Sequence, residues 1–207
     1  DNMGKYKVID GNEACAHISY MFTEIAGIYP ITPASPMSEY IDKWSTEGRL
    51  NLFNNKVKLI EMQSEAGAIA LVHGSLQTGS LASTYTASQG LLLMIPSMYK
   101  IAGEMLPCVI NVASRTVATH ALSIFGDHSD IYASRSTGFC FLASSSVEDT
   151  IYMTLASYLS TLKGKLPFVN FFDGFRTSHE LNKVYVPDMS EIKGLVPFKA
   201  IDNFRKE

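Results

Sequence analysis

The residue of this sequence best suited to chemistry is an acid at the predicted start of a helix. Glu65 is followed by Ala66, Gly67 and Ala68, and side chains this small let another helix or a flat ligand ring come close. Backbone amides at a helix N-terminus stabilise a carboxylate, whereas removal of water by a ligand favours the protonated acid, so such a position suits a proton shuttle. The local sequence by itself favours a plainer role, a first-turn glutamate that completes a helix cap. Glu61 is a weaker candidate with the same alternative.

Two further candidates follow predicted strands. Thr32 comes after a strand-like run, where its hydroxyl could hydrogen-bond a carboxylate or a carbonyl, or where it could simply be a turn residue. Arg115 follows a strongly apolar run and is the only Lys or Arg within residues 101–134. An isolated arginine in such a place can bind a carboxylate through two parallel hydrogen bonds. A salt bridge to Asp127 or Asp130 is the equally favoured alternative.

Other common catalytic and cofactor motifs are not present. The sequence has no GxSxG nucleophile elbow, no P-loop and no GxGxxG fingerprint. The acidic and histidine residues of segment 127–130 look like metal ligands, but ligands so close in sequence converge only in a special turn, so we expect loop capping and no metal site. His17 and His73 lie on predicted helices and are expected to be structural. No CxxC pair occurs, which predicts no zinc or iron-sulfur site in this chain and instead three buried, reduced thiols: Cys15, Cys108 and Cys140.

The elements that must position these residues alternate between strands and helices. Helical spacing of apolar residues and the cap signals at Ser35-Pro36 predict helices over 13–26, after Ser35, and over 64–76, 89–102 and 147–162. Short β-rich runs predict strands over 28–31, 57–62, 81–86, 107–113, 139–143 and 167–172, and we expect two short helices after Val186. This order requires crossover connections, so the sequence predicts an α/β fold of three layers, α/β/α, with a mainly parallel sheet. Ligands of such sheets bind outside the carboxyl ends of the strands.

Length and composition narrow the class of protein. The chain has 207 residues, 46% of them hydrophobic, which is enough for one domain with a large core. We expect residues 1–186 to form this domain and 187–207 to be a C-terminal tail. A net charge of -3 argues against a nucleic-acid partner, and the sequence contains no run of eighteen apolar residues that would cross a membrane. The polar first residues do not resemble a signal peptide, so we expect a cytoplasmic location. Charged residues are only 18%, which suggests that a partner or further domains cover part of the surface.

Five segments of the chain together form a specific pattern. They are YPITPAS (29–35), EMQSEAGA (61–68), TASQGLLL (86–93), ALSIFGDH (121–128) and FFDGFRTSHE (171–180). With these segments the sequence resembles the N-terminal domain of pyruvate:ferredoxin (flavodoxin) oxidoreductases, and the resemblance covers nearly the whole chain. The first segment alone also occurs in other 2-oxoacid:ferredoxin oxidoreductases.

The resemblance implies a cofactor and roles for four residues. It implies a fold of the thiamine-diphosphate-binding type, with this domain binding the aminopyrimidine half of the cofactor. Glu65 would hydrogen-bond the pyrimidine ring nitrogen and so favour the imino tautomer that takes up the thiazolium proton, and Pro30 would also contact the cofactor. Thr32 and Arg115 match the catalytic positions that hold the substrate, with Arg115 pairing the carboxylate of pyruvate. Electrons would pass to iron-sulfur clusters and then to ferredoxin or flavodoxin, and coenzyme A would take the acetyl group.

The sequence also departs from the family pattern. Members are much longer, and this chain lacks both the Gly-Asp-Gly signature of the diphosphate-binding domain and the cysteines that bind clusters. We therefore expect Mg²⁺ and the [4Fe-4S] clusters to be bound by domains outside this chain, the full-length protein to be a homodimer, and the fragment alone to be inactive. Alternatives are an oxidoreductase for another 2-oxoacid and a catalytically silent interaction module of the same fold, which would be marked by loss of the acid at position 65. A nicotinamide-binding domain is disfavoured by the missing glycine fingerprint.

Overall fold

The computed structural model describes residues 3–207 and contains one large sheet, one small sheet and eight helices within that range. The strands are β1 (Lys5–Ile9), β2 (Ile25–Ile28), β3 (Lys58–Glu61), β4 (Ala82–Thr86), β5 (Val109–Ser114), β6 (Cys140–Ser144), β7 (Phe168–Asp173) and β8 (Asn182–Val186). The helices are α1 (Gly11–Phe22), α2 (Ser35–Thr46), α3 (Glu65–Gln77), α4 (Ser88–Gly103), α5 (Ser129–Ala133), α6 (Val147–Gly164), α7 (Met189–Lys193) and α8 (Phe198–Phe204).

The large sheet is parallel throughout and confirms the predicted α/β class. Its strand order is β3-β2-β4-β5-β7-β6, and every neighbouring pair runs parallel. Because parallel crossovers are right-handed, α3 and α4 lie on one face of the sheet while α2 and α6 lie on the other. Contacts of α3 with α4, and of α1 with both α2 and α6, agree with these three layers. Strands β1 and β8 pair antiparallel in a separate two-stranded sheet.

The core surrounds the central strands, which are buried along their whole length. All five residues of β4 and all six of β5 are buried, as expected for parallel strands covered by helices on both faces. Polar side chains inside this core bond one another: the Tyr158 hydroxyl lies 2.7 Å from both Ser19 Oγ and Ser83 Oγ, and Asn111 donates to it at 3.1 Å. The central strands are therefore a rigid base for the loops that leave their carboxyl ends.

The cysteines differ slightly from expectation. All three are free, and Cys15 and Cys108 are buried, but Cys140 is only partly buried because it lies on β6 at the edge of the sheet. Burial raises the pKa of the Cys15 thiol to about 12, so this group stays protonated and donates to Asn111 Oδ1 at 3.3 Å. Cys15 is thus part of the core rather than a reactive thiol.

Several predicted elements are displaced. The first helix ends at Phe22, not at residue 26, because Thr23 is already extended; the strand that follows is 25–28, so the prediction of a strand over 28–31 was wrong. Ser35 is the first helical residue rather than the cap, and Ala34 occupies the cap position without a side-chain hydrogen bond. Strands β1 and β8 and helix α5 were not predicted.

The C-terminal segment contains the two expected short helices. Ile192, Ile201 and Phe204 belong to the same hydrophobic core as the main sheet and its helices. The segment therefore packs on the domain, while the division of the chain at residue 186 stays a prediction.

Candidate functional site

The candidate residues lie just beyond the carboxyl ends of the strands of the large sheet, in loops or at the start of a helix. Pro30 and Thr32 follow β2, Glu65 follows β3, and Arg115 follows β5. Because the strands are parallel, all these loops leave the same edge. The strand order reverses direction between β2 and β4, and such a switch point is where ligands of open α/β sheets bind. The topology therefore places the predicted residues in the region where this kind of fold forms a site.

Glu65 is a buried acid with no partner in the described part of the chain. Its side chain is the first of α3, the residue is only 8% exposed, and no hydrogen bond or ion pair within residues 3–207 engages its carboxylate. The cap of α3 is supplied by Ser64, whose Oγ accepts a hydrogen bond from the Gly67 N–H at 3.2 Å. The plainer role considered for Glu65, completion of the helix cap, is thus performed by its neighbour.

Gly90 lets α4 approach Glu65. A Cβ atom at position 90 would lie 2.9 Å from Glu65 Cγ and 2.3 Å from Thr86 Oγ1, distances too short for any side chain to be accommodated without displacement. The Thr86 hydroxyl is itself buried and has no hydrogen-bond partner among residues 3–207. A buried polar atom without a partner costs free energy, which a ligand that hydrogen-bonds it would recover. Glu65 and Thr86 thus form a cradle that is polar and free of internal partners.

Arg115 and Thr32 are brought together, but through the backbone of the threonine. Arg115 Nη1 donates to the carbonyl oxygen of Thr32 at 2.8 Å, and Nη2 donates to Gln89 Oε1 at 3.2 Å. The Nε atom of Arg115 is buried and has no hydrogen-bond partner within the described residues, and the residue as a whole is only 8% exposed. Burial lowers the pKa of Arg115, and the charge of Asp130 opposes this shift. The Thr32 side chain is exposed, beside the peptide bond to Pro33, which is cis.

The suggested salt bridge from Arg115 to the 127–130 segment does not form. Asp130 instead accepts a hydrogen bond from the backbone N–H of Arg115 at 3.1 Å, and Asp127 caps the turn at Ser129, whose N–H donates to it at 2.7 Å. His128 lies 2.9 Å from the Asp173 carboxylate. Loop capping is thus what this segment does, and residues 3–207 contain no group of three acidic, His or Cys side chains arranged to hold a metal ion.

Pro30 is exposed and lines a different part of the same edge. It borders a cleft of about 280 Å³ beside the ends of β2 and β3, together with Ser35 and Ser38. Three acids, Glu39, Asp42 and Glu61, also line this cleft, so its character is acidic. The structure brings Pro30 near Glu61 rather than showing a contact of Pro30 with Glu65.

Comparison with known sequences decides the family. A family model described as "Pyruvate flavodoxin/ferredoxin oxidoreductase, thiamine diP-bdg" matches residues 18–207. The chain belongs to this family. Over 203 residues it is 55% identical to the pyruvate-flavodoxin oxidoreductase of Klebsiella pneumoniae, covering 98% of this chain and 17% of the relative. It is 56% identical over 200 residues to the pyruvate:ferredoxin oxidoreductase of Moorella thermoacetica, covering 97% of this chain and 17% of the relative.

Two further proteins that are similar to this chain carry other names. A pyruvate dehydrogenase [NADP(+)] of Cryptosporidium parvum is 50% identical over 204 residues, which are 99% of this chain and 10% of that protein. The solved structure of a 2-oxoglutarate:ferredoxin oxidoreductase from Magnetococcus marinus superposes with a TM-score of 0.77 at 21% identity, covering 90% of this chain and 32% of that one, and so shows the shared fold. The chain spans about a sixth of the length of the relatives from Klebsiella pneumoniae and Moorella thermoacetica.

No helix within residues 3–207 is both long enough and apolar enough to cross a membrane.

The residues present fit the cofactor that the family description names. A heterocycle bound at this edge would meet a buried carboxylate, Glu65, that no other described group engages, and a hydroxyl, Thr86 Oγ1, that needs a partner. Gly90, having no side chain, allows both groups to lie against the start of α4. Sequence reasoning identified Glu65, but it missed Thr86, Gly90 and the support that Gln89 gives to Arg115. The only signal for those three was their place in one of the matching segments, which covers the end of β4 and the start of α4.

Proposed function

We propose that this chain is the N-terminal, pyrimidine-binding domain of an oxidoreductase that converts pyruvate and coenzyme A to acetyl-CoA and carbon dioxide. The electrons would pass to ferredoxin or flavodoxin. Support comes from relatives named for this activity at 55% and 56% identity. The single structural observation that carries the proposal is the buried, unpartnered carboxylate of Glu65 at the carboxyl edge of the sheet.

Glu65 has the properties needed to hold a proton on a bound heterocycle. Thiamine diphosphate, when bound, supplies the electron sink that lets carbon dioxide leave a 2-oxo acid. Glu65 would hydrogen-bond the pyrimidine ring nitrogen and keep a proton at that atom. Because the residue is largely buried, this hydrogen bond would be stronger than one made in bulk water.

Arg115 and Thr32 would hold the substrate. The partnerless Nε–H of Arg115 is the donor available to a carboxylate, while Nη1 and Nη2 already bind Thr32 and Gln89. An arginine held by neutral acceptors keeps its full charge for a ligand, whereas a salt bridge within the protein would neutralise it. The exposed hydroxyl of Thr32 would donate to the carboxylate or the 2-oxo oxygen. Pro30 would contribute contacts to the cofactor.

The remaining parts of the reaction require protein outside this chain. The sequence contains neither a Gly-Asp-Gly motif nor CxxC pairs, so Mg²⁺, the diphosphate and the [4Fe-4S] clusters would be bound by other domains of the full-length protein. We propose that this protein is a homodimer and works in the cytoplasm, where its free cysteines would stay reduced. The isolated 207-residue chain would be inactive.

The test is acceptor reduction by the full-length protein with matched variants. We expect pyruvate to support reduction of ferredoxin or flavodoxin, and Glu65→Gln to lower kcat by at least about 100-fold, the usual range for loss of a proton-transfer group. Glu61→Gln is the matched control, because Glu61 is an exposed acid four residues earlier. Exchange of the proton on the thiazolium C2 should slow in Glu65→Gln alone. Normal exchange in that variant would remove the assignment of Glu65.

Another 2-oxo acid is the alternative substrate. Arg115 would bind the carboxylate of any 2-oxo acid, so the same assay is run with 2-oxoglutarate and a branched 2-oxo acid. A higher kcat/KM for either of these than for pyruvate would replace pyruvate in the proposal. No reduction with any 2-oxo acid would favour a catalytically silent module.

A further inference from the structure

Asp130 connects three separate segments at the carboxyl edge of the sheet. Its Oδ2 accepts hydrogen bonds from the backbone N–H of Ser88 at 2.9 Å and of Arg115 at 3.1 Å. Its Oδ1 accepts from the Ser114 hydroxyl at 2.7 Å and from the N–H of Ile131 at 2.8 Å. The residue is fully buried, and no cation of the described chain forms an ion pair with it. Four donors therefore replace the water and the counter-ion that a buried carboxylate otherwise needs.

The hydrogen bonds from the N–H groups of Ser88 and Arg115 fix the two backbone segments that position the Arg115 guanidinium. Ser88 has a φ of 50°, in the left-handed region, which costs an L-residue roughly 1 kcal/mol. The bond from its N–H to Asp130 holds this conformation at the start of α4. The next residue, Gln89, is thereby placed to accept a hydrogen bond from Arg115 Nη2. The bond from the Arg115 N–H to Asp130 fixes the other end, where the chain leaves β5.

We propose that Asp130 is a positioning residue that aims the Arg115 guanidinium at the substrate carboxylate. It acts by locking the start of α4, which carries Gln89, and the start of the loop after β5, which carries Arg115. The role in substrate binding rests on the proposed function, because that function assigns the carboxylate to Arg115. Locking the two backbone segments does not depend on it.

Asp130→Asn separates positioning from general packing. The asparagine amide has nearly the shape of the carboxylate but only one acceptor oxygen. Its NH₂ group would replace the other carboxylate oxygen and would face hydrogen-bond donors there, with which it cannot bond. Asp127→Asn is the matched control, because Asp127 lies in the same segment and its side chain accepts from the N–H and hydroxyl of Ser129 but from neither Ser88 nor Arg115.

In the full-length oxidoreductase we expect Asp130→Asn to raise KM for pyruvate by about tenfold or more. In the same variant, kcat and the amount of bound thiamine diphosphate should change by less than about threefold. Asp127→Asn should leave both KM and kcat within about twofold of the wild-type values. A residue that only stabilised the fold would reduce the folded fraction and kcat with KM unchanged, and that result overturns the proposal. If Asp130→Asn does not fold, Asp130→Glu keeps the charge but misplaces it, and an unchanged KM in that variant overturns the proposal equally.

Amide hydrogen exchange tests the locking without any substrate. In the wild-type protein the N–H groups of Ser88 and Arg115 should exchange slowly, and in Asp130→Asn both should exchange at least about tenfold faster. Slow exchange at both positions in the variant overturns the proposal, even if pyruvate is a substrate. Faster exchange in a protein that does not act on 2-oxo acids would support the locking and refute the proposed function instead.

Discussion

Arg49 and Arg115 both lack an acidic partner within residues 3–207, yet they are held in opposite ways. Arg49 lies 4.5 Å over the ring of Trp44 and 4.9 Å over that of Tyr20, and its Nη2 lies 2.9 Å from His17 Nδ1. Arg115 has no aromatic neighbour of this kind among residues 3–207, and its Nε is buried without a partner. The two guanidinium groups are equal in chemistry but differ in what surrounds them.

The difference indicates which arginine is available to a ligand. The protein already satisfies Arg49 by stacking and hydrogen bonding, interactions that stabilise a fold. At Arg115 the protein supplies only two neutral acceptors and leaves a buried donor open, which costs stability unless a ligand fills it. Arg115 is thus suited to bind a carboxylate, and Arg49 to join α1 to the end of α2.

The largest expected effect comes from replacing Arg115. Arg115→Leu in the full-length protein should lower kcat/KM for pyruvate by a factor that corresponds to about 2–5 kcal/mol, because a buried charged contact is lost. Arg115→Lys should recover little, since an ammonium group cannot make the same planar contacts. Steady-state kinetics measure both, and unchanged constants for Arg115→Leu would make this arginine structural.

Replacing Arg49 should give the opposite pattern. Arg49→Leu should lower the free energy of unfolding by about 2 kcal/mol, since it removes a hydrogen bond and the stacking on Trp44 and Tyr20. Activity per folded molecule should not change. Arg49→Lys, which keeps the charge, should lose about half as much. Denaturant unfolding provides the measurement, and a change of KM with unchanged stability would reverse the comparison.

The third expected effect concerns pH. Burial and the neighbouring Arg49 charge lower the pKa of His17 to about 4, so this ring stays neutral in the folded protein, whereas in the unfolded chain it takes up a proton below about pH 6.5. The unfolded state therefore binds more protons, and stability falls as the pH decreases from about 6.5 to 4, by at most roughly 3 kcal/mol. His17→Gln should show a shallower loss over this range. Parallel pH profiles of the two proteins would contradict the assignment.

The sequence predicted the main strands and helices wherever their apolar pattern was continuous. The β5 run VINVAS and the small residues after Glu65 carry strong local signals, and both elements are present in the structure. β1 was missed although its side chains alternate between polar and apolar over residues 5–8; four of its five residues are exposed, so this alternation marks no buried face. Its pairing with β8 joins residues about 180 positions apart, and a local pattern contains no information on such contacts.

The charged residues of the candidate site could be predicted from the sequence, but the residues that hold them in place could not. Glu65 and Arg115 stood out as a helix-start acid and a solitary cation. Asp130 looked like one member of a capping loop, because its four donors come from residues 88, 114, 115 and 131. The sequence also did not show that the Glu65 carboxylate lacks a partner among residues 3–207, because this depends on Ser64 capping α3 instead.

The sequence by itself determined the order of the main strands and helices, the class of fold and the candidate side chains for proton exchange and carboxylate binding. These properties depend on local periodicity and on the chemistry of single residues. The tertiary structure alone decided which of those side chains are left without partners and which are already satisfied. That distinction arises from contacts between segments distant in sequence, and it separates Arg115 from Arg49.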